Sequence, residues 1–151
     1  MVSAIQGRME IFESRKHENT KARTTCRDMG HQFEDLSAEV IGAALAVHKG
    51  LGPGFLESTY HAAMRVSLTH RALPFESQLP FDISFEGVVV GRPRIDLIVA
   101  DKIVVELKAV DRFRDVHFAQ LKSYLRATSL RLGLLFNFNA PTLTIRRMVL
   151  D

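Results

Sequence analysis

The stretch RIDLIVADKIVVELK, residues 94–108, decides how this chain is read. Two β-branched runs, Arg94 to Val99 and Ile103 to Lys108, flank a short break, the pattern of a β-hairpin. Three charged side chains, Asp96, Glu106 and Lys108, interrupt these otherwise apolar strands. An unpaired carboxylate in a low-dielectric interior takes up a proton unless a cation or hydrogen bonds compensate it, so something should meet these charges. Side chains alternate along a strand, which puts Glu106 and Lys108 on one side. Asp96 joins them in only one register. A three-residue loop, Ala100-Asp101-Lys102, sets Val99 against Ile103 and Asp96 against Glu106, whereas a two-residue loop sets Asp96 against Leu107. The three-residue register is the one expected.

Two carboxylates converging beside a lysine form a candidate site for a hard cation, because Mg²⁺ takes oxygen ligands in an octahedron and keeps several waters. The protonated lysine cannot ligate; it can orient a water or hold negative charge developing on a phosphate. The ordinary alternative for this spacing is a surface salt bridge between Glu106 and Lys108. Gln120 and Tyr124, four apart on the helical stretch that follows, share one face, with His117 a turn earlier. They can overlook the carboxylates and hold a phosphate or orient Lys108, or they can be helix surface at the edge of the core. Glu57 stands just inside the start of a second helical pattern, where its charge either complements the helix dipole or supplies a further metal or water ligand. His48 is as readily a core or interface histidine as a site residue. His17, His31, His61 and His70 show no zinc spacing, and Cys26 is the single cysteine. Phosphate-cradling loops, GxGxxG and a serine-hydrolase elbow are missing from the sequence.

Outward from the hairpin, an amphipathic helix is expected from Leu36 through Val40, Ile41, Ala44, Leu45 and Val47, with Asp35 or Ser37 as N-cap. Gly50, Gly52, Pro53 and Gly54 stop it. A second helix runs from Leu56 to about Arg71, ahead of Pro74. Phe75 to Phe85 has a period of two, broken by Pro80; Glu86-Gly87 is a turn candidate and Val88 to Val90 resumes as strand. Phe113 to Ala127 is helical. Leu132 to Phe138 suits a strand buried on both sides, and Leu143 to Leu150 is a last strand. The order ααβββ(β)αββ implies an α/β sandwich with a mixed sheet.

With 151 residues, 46% hydrophobic and 25% charged, the chain suits one globular domain and excludes disordered, collagen-like and coiled-coil classes. Residues 1–33 have no sustained apolar period and read as a flexible extension, with a short helix around Ile5 to Phe12 or a start at Met29 as further options; residues 34–151 form the folded domain. A lone cysteine and no signal-like apolar run point to the cytoplasm. No stretch nears the roughly 20 apolar residues that cross a bilayer. The net charge is +3, of which residues 1–30 carry +2, so total charge is weak evidence for a polyanion partner. From Arg92 to Arg131, nine basic residues stand against five acidic ones.

Gly54-Phe55-Leu56-Glu57-Ser58-Thr59-Tyr60 matches the motif of the GxxExxY proteins, and Asp96 with Glu106-Leu107-Lys108 resembles the signature of the PD-(D/E)XK nuclease superfamily that contains them. The resemblance runs from about Asp35 to Leu150 and includes the strings from Val47 to Gly54, Glu106 to Val110 and Leu134 to Asn139. It implies a restriction-endonuclease-like αβββαβ core, a mixed central sheet flanked by helices, with Asp96 and Glu106 as metal ligands and Lys108 as the catalytic lysine. It makes Glu57 the acidic residue of the first core helix and a third candidate ligand, and likens Gln120 and Tyr124 to the QxxxY element of the exonuclease-like branch. One departure is Ile95, where the family pattern has proline; Pro93 lies two positions earlier. The expected activity is Mg²⁺- or Mn²⁺-dependent hydrolysis of nucleic acid, DNA foremost, with Arg92, Arg94, Arg112, Arg114, Lys122 and Arg126 as candidate phosphate contacts. The rival is a non-catalytic module that keeps the fold to bind nucleic acid or a protein; a different phosphate ester ranks third. A homodimer is the expected assembly, as in many members of the superfamily.

Overall fold

The computed structural model describes residues 26–151, with side chains from Phe33 onward. The readings for Ile5 to Phe12, His17, the side chain of His31 and the rest of the extension before Cys26 fall outside the described residues. Helix α1 spans Cys26–Leu51 and α2 spans Glu57–His70; β1 (Phe75–Pro80), β2 (Ile83–Phe85), β3 (Val88–Gly91), β4 (Arg94–Val99) and β5 (Ile103–Lys108) follow, then α3 (Asp115–Thr128), β6 (Leu132–Asn137) and β7 (Thr144–Val149).

Five strands form one mixed sheet in the order β1-β4-β5-β6-β7. Neighbours are antiparallel except β5 and β6, which are parallel and joined by α3, the crossover that a parallel pair requires. Strands β5 and β6 are buried along their whole length, as central strands covered on both faces must be. On one face, Val40, Ala43, Ala44 and Val47 of α1 and Tyr60, Met64 and Leu68 of α2 pack on Leu97, Val99, Val105, Leu107, Leu134 and Phe136. On the other, Leu121, Tyr124 and Leu125 of α3 pack on Ile98, Val104 and Leu135. Helix α3 lies so close to β6 that a Cβ at Gly133 would stand 2.8 Å from the Leu121 side chain.

Two expectations are corrected. Helix α1 is already formed at Cys26, where the described residues start, well ahead of the Leu36 periodicity. Neither Asp35 nor Ser37 is its N-cap: both lie within the helix, and the Ser37 hydroxyl donates to the Glu34 carbonyl, a bond made inside a helix. A helix can outrun its apolar stripe, and only the stripe is visible as periodicity. Strands β2 and β3 lie outside the main sheet. They form a separate two-stranded hairpin around Glu86 and Gly87, both at positive φ, because Pro80 ends β1 where it pairs with Arg94.

Candidate active site

The β4–β5 turn has the three-residue register: Val99 faces Ile103, Lys102 N–H donates to the Val99 carbonyl, and Ala100 and Asp101 both take positive φ. The ladder continues to Leu97 and Val105 and stops there. At the next step Asp96 replaces a backbone partner with its side chain, its Oδ2 accepting the Leu107 N–H at 2.8 Å. The strands therefore part at the point where the charges begin. On β1, the register passes from Ser77–Leu97 to Leu79–Ile95, and between them Gln78 adopts a φ of 54°; its Nε2 donates to Asp96 Oδ1 at 3.4 Å. A non-glycine residue held in the left-handed region stores strain, which persists where surrounding structure fixes it and gathers at functional sites.

Glu106 and Lys108 share the face of β5 that α3 covers. Lys108 Nζ donates to Glu106 Oε1 at 2.6 Å, and the pair is nearly hidden from water. Glu106 is 2% exposed, and its second oxygen, Oε2, is buried with no hydrogen-bond partner among the described residues. Burial, then the Asp96 charge, push its pKa to about 8 against the attraction of Lys108. Without a cation other than the lysine, this carboxyl keeps a proton where its usual range would leave it ionised. Leaving a buried polar atom unpaired costs about 1–3 kcal/mol, so the arrangement is not one that stability selects.

Glu57 enters from the first turn of α2. It takes a hydrogen bond from the Ala109 backbone, and partial burial raises its pKa; Lys108 and Asp96 both act on its charge. His61, one turn on, has Nε2 3.2 Å from the Asp96 carbonyl oxygen. Tyr60 is held in the fold: its hydroxyl donates to the Gly52 carbonyl at 2.6 Å and accepts from Phe55 N–H, and its ring stacks on Phe138 at 4.6 Å. It anchors the glycine-rich loop that presents Glu57. His48 has its Nε2 2.8 Å from the Ala140 carbonyl oxygen.

From α3, Gln120 Nε2 donates to the Tyr124 hydroxyl at 2.6 Å. They bond to each other rather than to Lys108. Burial, with the charge of Glu106 next in weight, pushes the Tyr124 pKa up to about 12, so the phenol stays protonated and faces the acidic cluster. His117 is drawn to lower pKa by burial, then by Lys108 and Arg114. Asn137, opposite Lys108 on β6, was not singled out by sequence: Val110 N–H donates to its Oδ1 and its Nδ2 donates to the Val110 carbonyl, fixing the chain just beyond the lysine. Gln78 and His61 were also missed. A lone polar residue on a mixed-polarity strand or helix carries no spacing signal.

Arg92, Arg94, Arg112, Arg114, Lys122 and Arg126 are all exposed. The Arg92 guanidinium is engaged by Asp82 at 2.7 Å, whereas at Arg114 it is the backbone N–H that donates, to His117 Nδ1 at the head of α3. Among the described residues, no three His, Cys, Asp or Glu side chains meet closely enough to cage a metal ion. Mg²⁺ needs only one or two carboxylates besides water, and the orphaned Glu106 oxygen with the neighbouring Asp96 is a donor set that fits it.

A family model of the PD-(D/E)XK nuclease superfamily matches residues 34–148, most of the chain and every strand above except the last residue of β7. No curated protein and no solved structure matches. The five-stranded mixed sheet flanked by helices is that of a restriction-endonuclease-like fold, and the chain belongs to the PD-(D/E)XK nuclease superfamily.

Proposed function

We propose that this chain is a divalent-metal-dependent phosphodiesterase that hydrolyses nucleic acid, with DNA as its substrate. The observation that carries the reading is the buried, unpartnered Oε2 of Glu106, two residues from the Lys108 ammonium that holds the other oxygen. Asp96 and Glu106 would hold Mg²⁺ or Mn²⁺, and Glu57 would reach the ion through water. The ion supplies Lewis acidity and a water of lowered pKa. Lys108 orients the attacking water and steadies negative charge on the phosphate from a site that is already desolvated, where such a charge acts most strongly. Tyr124, kept protonated and tied to Gln120, can donate its hydroxyl proton to a phosphate oxygen. Arg92, Arg94, Arg112, Arg114, Lys122 and Arg126 give the strand non-specific backbone contacts. The assembly proposed is a homodimer, since one small domain covers little of a duplex. A cytoplasmic location follows the lone cysteine, and no described helix is long and apolar enough to cross a membrane.

One observation favours the rival, a binding module without catalysis: both Asp96 oxygens already accept hydrogen bonds, from Leu107 N–H and Gln78. An assay on linear, circular and single-stranded DNA and RNA with Mn²⁺ decides between them. Hydrolysis by the wild type that vanishes in Lys108→Ala supports the enzyme. Binding without hydrolysis by either protein supports the module.

A further inference from the structure

Beyond Lys108, on the same face of the sheet, lies a cavity of about 350 Å³ lined by Asp111, Arg112, Phe113, Phe118, Asn137, Thr144 and Arg146. It adjoins the carboxylate–lysine cluster. Asn137 is the direct partner of Lys108 across β5 and β6, and residues 111–113 follow the lysine in the chain. The last strand, β7, closes the cavity with Thr144 and Arg146, residues outside every motif in the sequence.

The lining combines two chemistries. Phe113 and Phe118 meet edge to face with centroids 5.9 Å apart, offering ring surface to a flat partner. Arg112 has no acid or hydrogen-bond partner among the described residues, and Arg146 makes only a bond to the carbonyl of its neighbour Ile145. Two arginines against one aspartate leave the cavity cationic. One wall is held in place, since Asn137 spends its amide on Val110 and Asn139. The volume lies at the lower end of the roughly 300–1,000 Å³ of small-ligand sites, the size of one nucleotide rather than a length of duplex.

We propose that this cavity is a nucleotide subsite that takes one unpaired nucleotide of the strand being processed. The base lies against Phe113 and Phe118, and its phosphate is held by Arg112 and Arg146. Stacking accepts any base, and arginine forks match phosphate oxygens. Thr144 and Asp111 remain for a sugar hydroxyl or a base edge. This rests on the nucleic-acid reading of the adjoining site, and it makes the preferred substrate a strand end, a flap or a single strand.

The test is fluorescence anisotropy of the full chain in EDTA, with a labelled DNA oligonucleotide as a single strand and as a blunt duplex, and with dAMP as competitor. Arg146→Ala, at an exposed position, is expected to weaken single-strand binding about tenfold and to lower the slope of log affinity against log salt by about 1. Blunt-duplex binding should change much less. A terminal 2-aminopurine should be quenched by the wild type and less by Phe118→Leu, which keeps an apolar side chain there. Equal binding by wild type and Arg146→Ala overturns the proposal. So does dAMP competing as well as the strand, because the cavity would then serve a free nucleotide. The two readings fail separately: a wild type that cleaves nothing, yet binds single strands through Arg146, ends the nuclease reading and leaves the subsite standing.

Discussion

Leu107 and Glu106 are neighbours on β5 and are almost equally hidden from water, at 0% and 2% exposure, yet they stand on opposite faces of the sheet and do opposite things. Leu107 points into the apolar layer beneath α1 and α2, among side chains that all gain by leaving water. Glu106 points toward α3 into a layer that is apolar around Ile98, Val104 and Leu135 and becomes charged at the strand's end. One face stabilises the molecule. The other gives up stability at one end to keep a desolvated carboxylate, a lysine and an unsatisfied oxygen together, the pattern expected where chemistry rather than folding has set the residues.

That contrast can be broken most sharply from the charged side. Lys108→Ala is expected to lower the rate of metal-dependent cleavage by about 10²–10³, read by gel assay, while leaving the circular dichroism spectrum unchanged. A fall in rate that tracks loss of fold would erase the distinction between the faces. From the apolar side, Leu107→Ala should cost about 2–5 kcal/mol of stability by chemical denaturation, whereas Glu106→Gln, one residue away, should cost nothing or raise stability.

The pH dependence sharpens the comparison further. Because the Glu106 pKa rises from 4.5 in the unfolded chain to about 8 in the fold, the folded state binds this proton more tightly. Its contribution to stability is full below about 4.5 and is lost as pH rises through about 8. A divalent ion competes with that proton, so apparent Mg²⁺ affinity should climb across the same window. Melting temperature against pH, with and without Mg²⁺, should show this slope in the wild type and a flatter one in Glu106→Gln. The smallest expected effect is at the loop that presents Glu57: Tyr60→Phe removes the bond to Gly52 at a cost of about 1 kcal/mol. It should lower cleavage only modestly, since the ring still stacks on Phe138.

Much of this was legible in residues 94–108. The period of two, the three-residue loop and the cost of burying charge together fixed the register and the face shared by Glu106 and Lys108. What the pattern could not carry was the parting of β4 from β5 at Asp96, because alternation is the same whether a strand is paired or splayed. Gln78 was hidden for a related reason: its approach to Asp96 comes from a positive φ inside β1, and nothing in FESQLP marks that turn of the backbone. Tyr60 shows the reverse. Its motif was visible, but the structure gives it a clasping role on Gly52 while Glu57 carries the charge. Helix α1 outran its reading because only its buried stripe is periodic.

The central claim is that Asp96 and Glu106 form a divalent-cation site. Calorimetric titration of the full chain with Mn²⁺ at pH 8 tests it directly, beside Glu106→Gln and Asp96→Asn. The account predicts a saturable isotherm for the wild type, accompanied by proton release that changes with buffer ionisation heat, and its loss in both variants. The same isotherm in all three proteins would contradict it.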